Sequence, residues 1–221
     1  MRYYPVFFDI HGKRCLVVGG GTVGTRKVLT LLKCGADVTV VSPCFDDRLL
    51  GLAETGAVSL KSRCYRSSDL EGVFMVFGAT DNEELNRRVH EDAEKCNVLC
   101  NIVDRPEACS FVLPSVVERG DLLIAISTSG KSPALARKLR TELEKQFGQE
   151  YDDLLILMGA VRKKLLARHH NSCEHQKIFR QLIESDLIER IRDHDVDRIN
   201  ERLREILGEG YAFADLMRMN S

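Results

Sequence analysis

The stretch Arg14-Cys-Leu-Val-Val-Gly-Gly-Gly-Thr-Val-Gly24 decides the fold of this 221-residue chain. Its first half is a short apolar run that predicts a buried β-strand, and its second half is rich in glycine. An apolar stripe at Val28, Leu31 and Leu32 follows and closes at Gly35, a pattern typical of a helix that ends at a glycine. A strand, a glycine-rich turn and a helix in this order predict the first unit of a dinucleotide-binding α/β domain.

The glycines match the spacing G-x-G-x-x-G at Gly19, Gly21 and Gly24. The first permits a tight turn, the second lets backbone amides approach a pyrophosphate, and the third allows helix and strand to pack closely. The helix N-terminus adds positive potential, so the loop can bind an anion without a charged side chain. The alternative is a glycine-rich turn in another kind of α/β protein, because this motif alone is weak evidence.

Strand and helix signals continue to alternate through the first hundred residues. Residues 37–41, 57–61, 73–77 and 98–103 are predicted strands, and a polar helix is predicted over 83–95. This alternation is typical of an α/β fold with a Rossmann-type, doubly wound parallel sheet.

The pattern then changes. Apolar runs at 111–117 and 122–127 predict a hairpin, and Ser132-Pro133 predicts the start of a helix that closes at Gly148. From Tyr151 onward the pattern is helical throughout. We therefore expect an NAD-binding domain at 1–112, a small strand-helix segment at 113–148 and a helical domain at 149–221.

The composition limits the possible functions. The 32 Lys and Arg residues and 33 Asp and Glu residues leave a formal charge of −1, so no overall charge steers the chain to nucleic acid. Because the sequence shows neither a signal peptide nor a bilayer-length apolar run, we expect a cytoplasmic protein without a membrane partner. The eight cysteines are scattered without a C-x-x-C spacing, which favours reduced thiols over disulfides or a zinc site.

One short stretch holds several possible metal ligands, at His169, His170, Cys173 and His175. No complementary ligand pair with standard spacing occurs elsewhere in the sequence. We therefore expect a polar loop there and no metal site.

The expected ribose contact is less regular than the glycine loop. An acidic residue is expected about 20 residues after the loop, at the end of the second strand, but Ser42 stands there, and Asp46 and Asp47 come later. No arginine stands at that point to hold a 2′-phosphate, since Arg48 is further along. NAD is therefore favoured as the cofactor, and NADP stays open.

Two more strand ends carry candidate residues. Asp104 follows the predicted strand 98–103, where a carboxylate could take a proton from a substrate that loses hydride, or could simply start a turn. In the turn Gly78–Asn82, the expected role is a helix cap by Thr80 or Asp81, and a cofactor contact by Thr80 is compatible with capping.

The helix beginning at Ser132 is basic. Lys131–Arg140 carries four cations and no acid, and the small polar turn Ser127–Gly130 precedes it. The combination of amides at a helix N-terminus with basic side chains suits carboxylates or phosphates. The alternative is a solvated basic face.

Several short motifs occur in a fixed order: Gly19–Gly24 followed by Arg26-Lys27, then Gly78–Asp81, Cys100–Asp104, Ser110–Ser115 and Ile126–Arg137. Their sequences and spacings resemble the precorrin-2 dehydrogenase family, which forms the N-terminal module of bifunctional sirohaem synthases. The likeness spans residues 1 to about 145, and the motifs together are far more specific than the glycine loop alone.

The resemblance implies NAD-dependent oxidation of precorrin-2 to sirohydrochlorin and, in some members, insertion of ferrous iron to give sirohaem. It also implies an intertwined homodimer in which the segment 113–148 is exchanged between subunits. The family aspartate falls on Asp104, and the serine-rich loop near the tetrapyrrole falls around Thr128. Fused synthases continue into a methyltransferase domain, whereas this chain ends at Ser221. Uroporphyrinogen methylation is therefore expected from a separate protein.

The expected site residues fall into three groups. The family's cofactor contacts coincide with two residues of the glycine loop and with the end of the second strand. The full set comprises the catalytic candidate Asp104, the cofactor contacts Gly19, Gly21, Thr22, Val23, Gly24, Ser42, Pro43, Cys44 and Thr80, and the substrate contacts Ser127, Thr128, Lys131 and Arg137.

Two other functions stay open on the sequence. One is a non-catalytic, NAD-sensing regulatory module, because the fold alone does not imply chemistry. The other is a dehydrogenase that acts on a different polyanionic small molecule.

Overall fold

The computed structural model of the chain describes residues 3–103, 105–167 and 172–219. The chain divides into two compact units, Met1–Leu113 and Pro114–Ser221. Residues 114–148 lie in the same unit as the helical region that follows them.

The first unit is a parallel sheet with helical connections. Its elements are β1 (Arg14–Gly20), α1 (Thr22–Lys33), β2 (Asp37–Phe45), α2 (Asp47–Glu54), β3 (Ser59–Ser62), β4 (Met75–Gly78), α3 (Glu83–Lys95) and β5 (Leu99–Ile102), with short 3₁₀ turns at Ser67–Leu70 and Pro106–Ala108. The strand order is β3-β2-β1-β4-β5, and every pair is parallel. The doubly wound sheet predicted from the alternating pattern is confirmed, and α3 has the predicted bounds.

β1 is buried on both faces of the sheet, which explains why its sequence is a continuous apolar run. Val17 packs into one core with Val28 of α1, and Leu16 packs into a second core with Val89 of α3. The strand order reverses direction between β1 and β4. Ligands of open α/β sheets bind in the crevice at such a point, outside the carboxyl ends of the strands.

The second unit combines a hairpin with helices. Its elements are β6 (Ser115–Arg119), β7 (Leu122–Ile126), α4 (Pro133–Gln146), α5 (Glu150–Leu166), α6 (Ser172–Glu184), α7 (Leu187–Arg192), α8 (Val196–Leu207) and α9 (Phe213–Arg218). β6 and β7 are antiparallel, which confirms the predicted hairpin. The later helices share an apolar core that includes Leu157, Leu187 and Leu203. Within the described ranges, no helix has the length and apolar character needed to cross a membrane.

The first hairpin strand starts later than the apolar run 111–117 predicts. Phe111 instead belongs to the first unit, where its ring meets the Phe77 ring edge-on with the centroids 5.7 Å apart. Its carbonyl oxygen accepts a hydrogen bond from Asn101 Nδ2 at 3.0 Å. The run 111–117 is apolar for two separate reasons. Phe111 packs against the core that contains Phe77, and the last residues belong to β6.

Candidate functional site

The glycine loop has a shape that requires glycine at two of the motif positions. Gly19 has φ +115°, and a Cβ there would lie 2.3 Å from the carbonyl oxygen of Ala79. A Cβ on Gly24 would lie 2.1 Å from the carbonyl oxygen of Gly19. Both distances fall far inside van der Waals contact with backbone atoms. These two glycines therefore let β1, α1 and the turn after β4 approach one another.

Gly20 has a structural role that the motif does not assign to it. A Cβ on Gly20 would lie 2.4 Å from the carbonyl oxygen of Cys44, and the Gly20 carbonyl accepts a hydrogen bond from Asp46 N at 2.8 Å. The end of β2 therefore lies directly beside the loop. The uninterrupted run of three glycines was the signal for this close approach.

Gly21 faces open space and forms the N-cap of α1. A Cβ built on it meets no heavy atom within 4 Å. The first intrahelical bond runs from Thr25 N to Gly21 O at 2.9 Å, so the amides of Thr22, Val23 and Gly24 have no acceptor within the helix. No acidic residue stands in the first turn. This arrangement is an open cradle of amides at a helix N-terminus, and it fits a diphosphate.

The end of β2 differs from the sequence prediction. The strand does not close at Ser42-Pro43 but continues to Phe45, which pairs with Gly20 after a register shift. Ser42 is buried and its Oγ accepts from Cys44 N at 3.4 Å, while Pro43 and Cys44 are exposed. These exposed residues form the surface next to the glycine loop on the β2 side.

The acidic residue that follows β2 caps the next helix. Asp46 is the N-cap of α2, and its Oδ1 accepts a hydrogen bond from Arg48 N at 3.0 Å. The cap uses one carboxylate oxygen, so Asp46 serves the start of α2 whether or not a ligand is bound.

The turn after β4 is capped differently from the prediction. Asn82, and not Thr80 or Asp81, is the N-cap of α3, and its Oδ1 accepts from Leu85 N at 2.9 Å. Thr80 lies beside the glycine loop, since its Cγ2 would be 3.1 Å from a Cβ on Gly19. The sequence prediction was wrong about the cap because three adjacent residues in the turn can all cap a helix, and the backbone path selects one.

Asp104 lies outside the described residues, but the residues that flank it show how β5 ends. The thiol of Cys109 accepts from Ile102 N at 3.2 Å and reaches the carbonyl oxygens of Ile102 and Arg105 at 3.3 and 3.2 Å. Burial raises the pKa of the Cys109 thiol, so the sulfur keeps the proton that it donates. The thiol therefore bonds to both sides of the short segment that contains position 104.

An open groove of about 580 Å³ runs between α3 and the 3₁₀ turn after β5. Arg105 lies in it and pairs with Glu83 at 2.5 Å and with Glu107 at 3.9 Å. Arg105 is about half exposed and both glutamates are mostly exposed, so the pairs contribute little to stability.

The turn before α4 is stabilised by its own hydroxyl groups. Thr128 Oγ1 accepts from Ser132 N at 3.2 Å and donates to Ser132 O at 3.1 Å, and Ser127 Oγ accepts from Ser129 N at 3.1 Å. Ser132 caps α4 by accepting from Leu135 N at 3.2 Å, which confirms the predicted cap. Ser127 and Thr128 therefore shape the turn that leads into the basic helix.

The basic helix divides into paired and unpaired cations. Lys138 lies 3.7 Å from a carboxylate oxygen of Glu142, one turn along, and Arg140 pairs with Glu144 in the same way. Lys131 and Arg137 are exposed, and no carboxylate among the described residues lies within ion-pair distance of either. Charge for an external anion is thus concentrated at these two positions.

The expected cofactor residues come together in the first unit. The glycine loop, the β2 end at Ser42–Cys44 and the turn at Thr80 all lie at the carboxyl ends of neighbouring strands. The expected substrate residues all belong to the second unit, around the start of α4.

His169 and His170 of the possible ligand cluster lie outside the described residues, and His175 is part of α6. In the described ranges, no three His, Cys, Asp or Glu side chains are grouped so that they could hold a metal ion.

Two protein families match parts of the chain. Residues 6–115 match a family described as "Putative NAD(P)-binding", and residues 119–146 match one described as "Sirohaem biosynthesis protein central".

Individual proteins match over most of the chain. The siroheme synthase of Pseudoalteromonas atlantica is 36% identical over 207 residues, which cover 94% of this chain and 45% of that protein. Siroheme synthase 1 of Aeromonas salmonicida is 37% identical over 186 residues, or 84% of this chain and 40% of that protein. The chain therefore spans less than half the length of these relatives. Among solved structures, that of SirC, a precorrin-2 dehydrogenase, matches with a TM-score of 0.79 and 25% identity, covering 92% of this chain and 98% of that one.

Proposed function

Because this chain belongs to the sirohaem synthase and precorrin-2 dehydrogenase family, we propose that it oxidises precorrin-2 to sirohydrochlorin with NAD as the hydride acceptor. The observation that carries the proposal is the open amide cradle at Gly21, which is built as a diphosphate site requires. A solved structure that matches over nearly its whole length is that of a precorrin-2 dehydrogenase, SirC.

The first unit would bind the cofactor through backbone groups. The amides of Thr22, Val23 and Gly24 point out of the start of α1, where the helix dipole favours a negative charge. When bound, the dinucleotide supplies the nicotinamide ring that accepts the hydride. Residues 42–45 contain no basic side chain for a 2′-phosphate, which supports NAD over NADP.

Asp104 is the proposed base. As precorrin-2 gives up a hydride, it must also lose a proton, and a carboxylate beyond the end of β5 could accept that proton. The Cys109 thiol bonds to the backbone of Ile102 and Arg105, the residues nearest to this position whose contacts are described on either side of it.

The substrate contacts are proposed on the second unit. Precorrin-2 is a macrocycle rimmed by carboxylates, so it needs several cationic partners. Lys131 and Arg137 are exposed without a described carboxylate partner, and they follow the turn formed by Ser127 and Thr128. This arrangement supports recognition of the substrate's acid groups at the start of α4.

The working enzyme is proposed to be a homodimer, with 113–148 as the exchanged segment. One face of the hairpin exposes Val116 and Leu123, and α4 exposes Leu135 and Leu139. Exposed apolar side chains grouped on two adjacent elements are typical of a surface that another chain covers. The seven described cysteines are free thiols, which is compatible with a cytoplasmic location.

The proposal is tested by incubating the purified chain with precorrin-2 and NAD without oxygen and following the absorbance of sirohydrochlorin. We expect conversion with NAD and slower conversion with NADP. NAD binding without conversion would instead support an NAD-sensing module, and conversion of a different polyanion alone would support the third function. Ferrous iron added after the oxidation tests for chelation.

The matching test of the base is Asp104→Asn. General-base catalysis typically contributes about 10²- to 10⁴-fold, so turnover should fall by roughly that factor while NAD affinity is unchanged. Full turnover by this variant would remove Asp104 from the proposed chemistry.

A further inference from the structure

Asn86 is a polar residue on the buried face of α3. It is 7% exposed and shares that face with the apolar residues Val89 and Ala93. A buried amide is costly unless its donors and acceptor are used. The buried Asn86 amide therefore needs hydrogen-bond partners, and the sequence motifs do not indicate any.

Among the described residues, both hydrogen bonds of the Asn86 side chain go to Thr80. Nδ2 donates to the Thr80 carbonyl oxygen at 2.8 Å, and Oδ1 accepts from Thr80 Oγ1 at 3.1 Å. Thr80 Oγ1 in turn accepts from Asn82 N at 3.2 Å, and its one proton is shared between Asn86 Oδ1 and the Asn82 carbonyl oxygen, also at 3.1 Å. One side chain thus holds the backbone and the hydroxyl group of Thr80 together.

The turn that Asn86 holds lies against the glycine loop. Ala79 N donates to Val18 O at 2.8 Å, and a Cβ on Gly19 would lie 2.3 Å from the Ala79 carbonyl oxygen. There is no room for the turn to move toward β1, and the Ala79–Val18 hydrogen bond, the Asn86 bonds and the α3 cap hold it in place. The loop after β4 lies at the point where the strand order reverses, which is where a dinucleotide lies in such sheets.

We propose that Asn86 is a positioning residue for the dinucleotide: it holds the Thr80 turn as the β4-side wall of the cofactor site. This inference rests on the proposed cofactor binding of the chain. Asn86 acts through Thr80, so its loss weakens cofactor binding and leaves the chemical step nearly unchanged.

The test is Asn86→Asp, which preserves the size of the side chain and the acceptor but loses the donor to the Thr80 carbonyl. A carboxylate facing that carbonyl repels it. Burial and the carbonyl both disfavour the charged form and hold the pKa of the new carboxyl above its usual range, so mild acid protonates it and restores a donor. We expect NAD affinity, measured by calorimetry, to fall about tenfold at pH 8 and to recover to within about threefold of wild type near pH 5.5. The kcat at saturating NAD should change less than about twofold.

The matched control is Asn82→Asp, an exposed change that preserves the α3 cap because aspartate is an equally good N-cap. It should bind NAD like the wild type at both pH values. Wild-type protein that binds no NAD would refute the proposed function itself. If the wild type binds NAD, two results would overturn the positioning role of Asn86. One is an unchanged NAD affinity of Asn86→Asp at pH 8, and the other is a loss of NAD affinity that does not recover at low pH.

If Asn86→Asp does not fold at pH 8, Asn86→Ala provides the second test. It removes both bonds to Thr80 and leaves every atom of Thr80 in place, so a direct cofactor contact by Thr80 is not altered. We expect NAD binding about tenfold weaker than in the wild type, with kcat at saturating NAD changed less than about twofold. Affinity equal to that of the wild type would overturn the inference.

Discussion

The glycine loop permits a paired test in which one substitution should remove binding and the other should remove stability. Gly21 has φ −82° and ψ −175°, an extended conformation that any residue adopts, and its Cβ position faces open space. Gly21→Ala should therefore fold normally, and its free energy of unfolding should change by less than about 1 kcal/mol, because the lower entropy of the unfolded chain offsets the poorer N-cap. The added methyl group would occupy the space where the amides meet a diphosphate.

The loss of affinity can be estimated from the bonds at stake. A hydrogen bond to a charged group contributes about 1.5–3 kcal/mol, so losing one should weaken NAD binding roughly 10- to 100-fold. NAD at 100 times the wild-type Kd should stabilise the wild type by about 2.7 kcal/mol. At the same concentration, Gly21→Ala should gain only about 0.4–1.4 kcal/mol.

Gly24→Ala should show the opposite behaviour. Its Cβ would lie 2.1 Å from the Gly19 carbonyl oxygen, so helix and strand must separate. Overpacking of this kind typically costs about 1–3 kcal/mol of the free energy of unfolding, which lowers the unfolding temperature of the apo protein. Calorimetric titration with NAD and urea unfolding with and without NAD measure both effects. Wild-type affinity in Gly21→Ala, or wild-type stability in Gly24→Ala, would refute this reading of the loop.

Three other predictions concern the rest of the chain. The hydrogen-bonded Arg63 guanidinium lowers the pKa of the nearly inaccessible Asp69 carboxyl from 3.8 to about 2, so Asp69→Asn should lose about 2 kcal/mol at pH 7. In urea titrations that difference should shrink as the pH falls from about 4 to about 2, and a constant difference would contradict the assignment. Arg137→Gln should raise the KM for precorrin-2 by roughly tenfold. The control Lys138→Gln should raise it by less than about twofold, because Lys138 is already paired with a carboxylate. Equal effects of the two substitutions would argue against a specific contact by Arg137. Leu123→Asp, on the exposed hairpin face, should yield monomers in light scattering, and an unchanged mass would exclude this face as the interface.

Local patterns predicted the five strands of the first unit and its helices α1 and α3, but not α2. The continuous apolar run of β1 reflects burial on both faces, and the helix over 83–95 has the predicted bounds, although Asn82 and not Thr80 or Asp81 caps it. The strand ends were less predictable. β2 passes through Pro43 because pairing with Gly20 resumes after a register shift, and such pairing involves a distant segment.

The candidate site was predictable in part, for the same reason. Spacing alone marks Gly19, Gly21 and Gly24. In the structure, Gly19 and Gly24 allow close approach to backbone carbonyls, whereas Gly21 leaves the amide cradle open. The roles of Gly20 and Asn86 depend on Cys44 and Thr80, which reach them only when strands and helices pack. No short-range pattern reports such contacts.

The amino-acid sequence alone determined the alternation of strands and helices, the amide-lined turn and the basic helix. Side-chain periodicity, the conformational freedom of glycine and helix dipoles all act over a few residues, so a local pattern is enough to report them. The folded chain decided three other features: the acidic residue that caps α2, the cations that are already paired, and the side of the glycine loop that is open to a ligand. Each of those outcomes depends on distances between atoms that are remote in the chain or that compete within one turn, and only packing sets those distances.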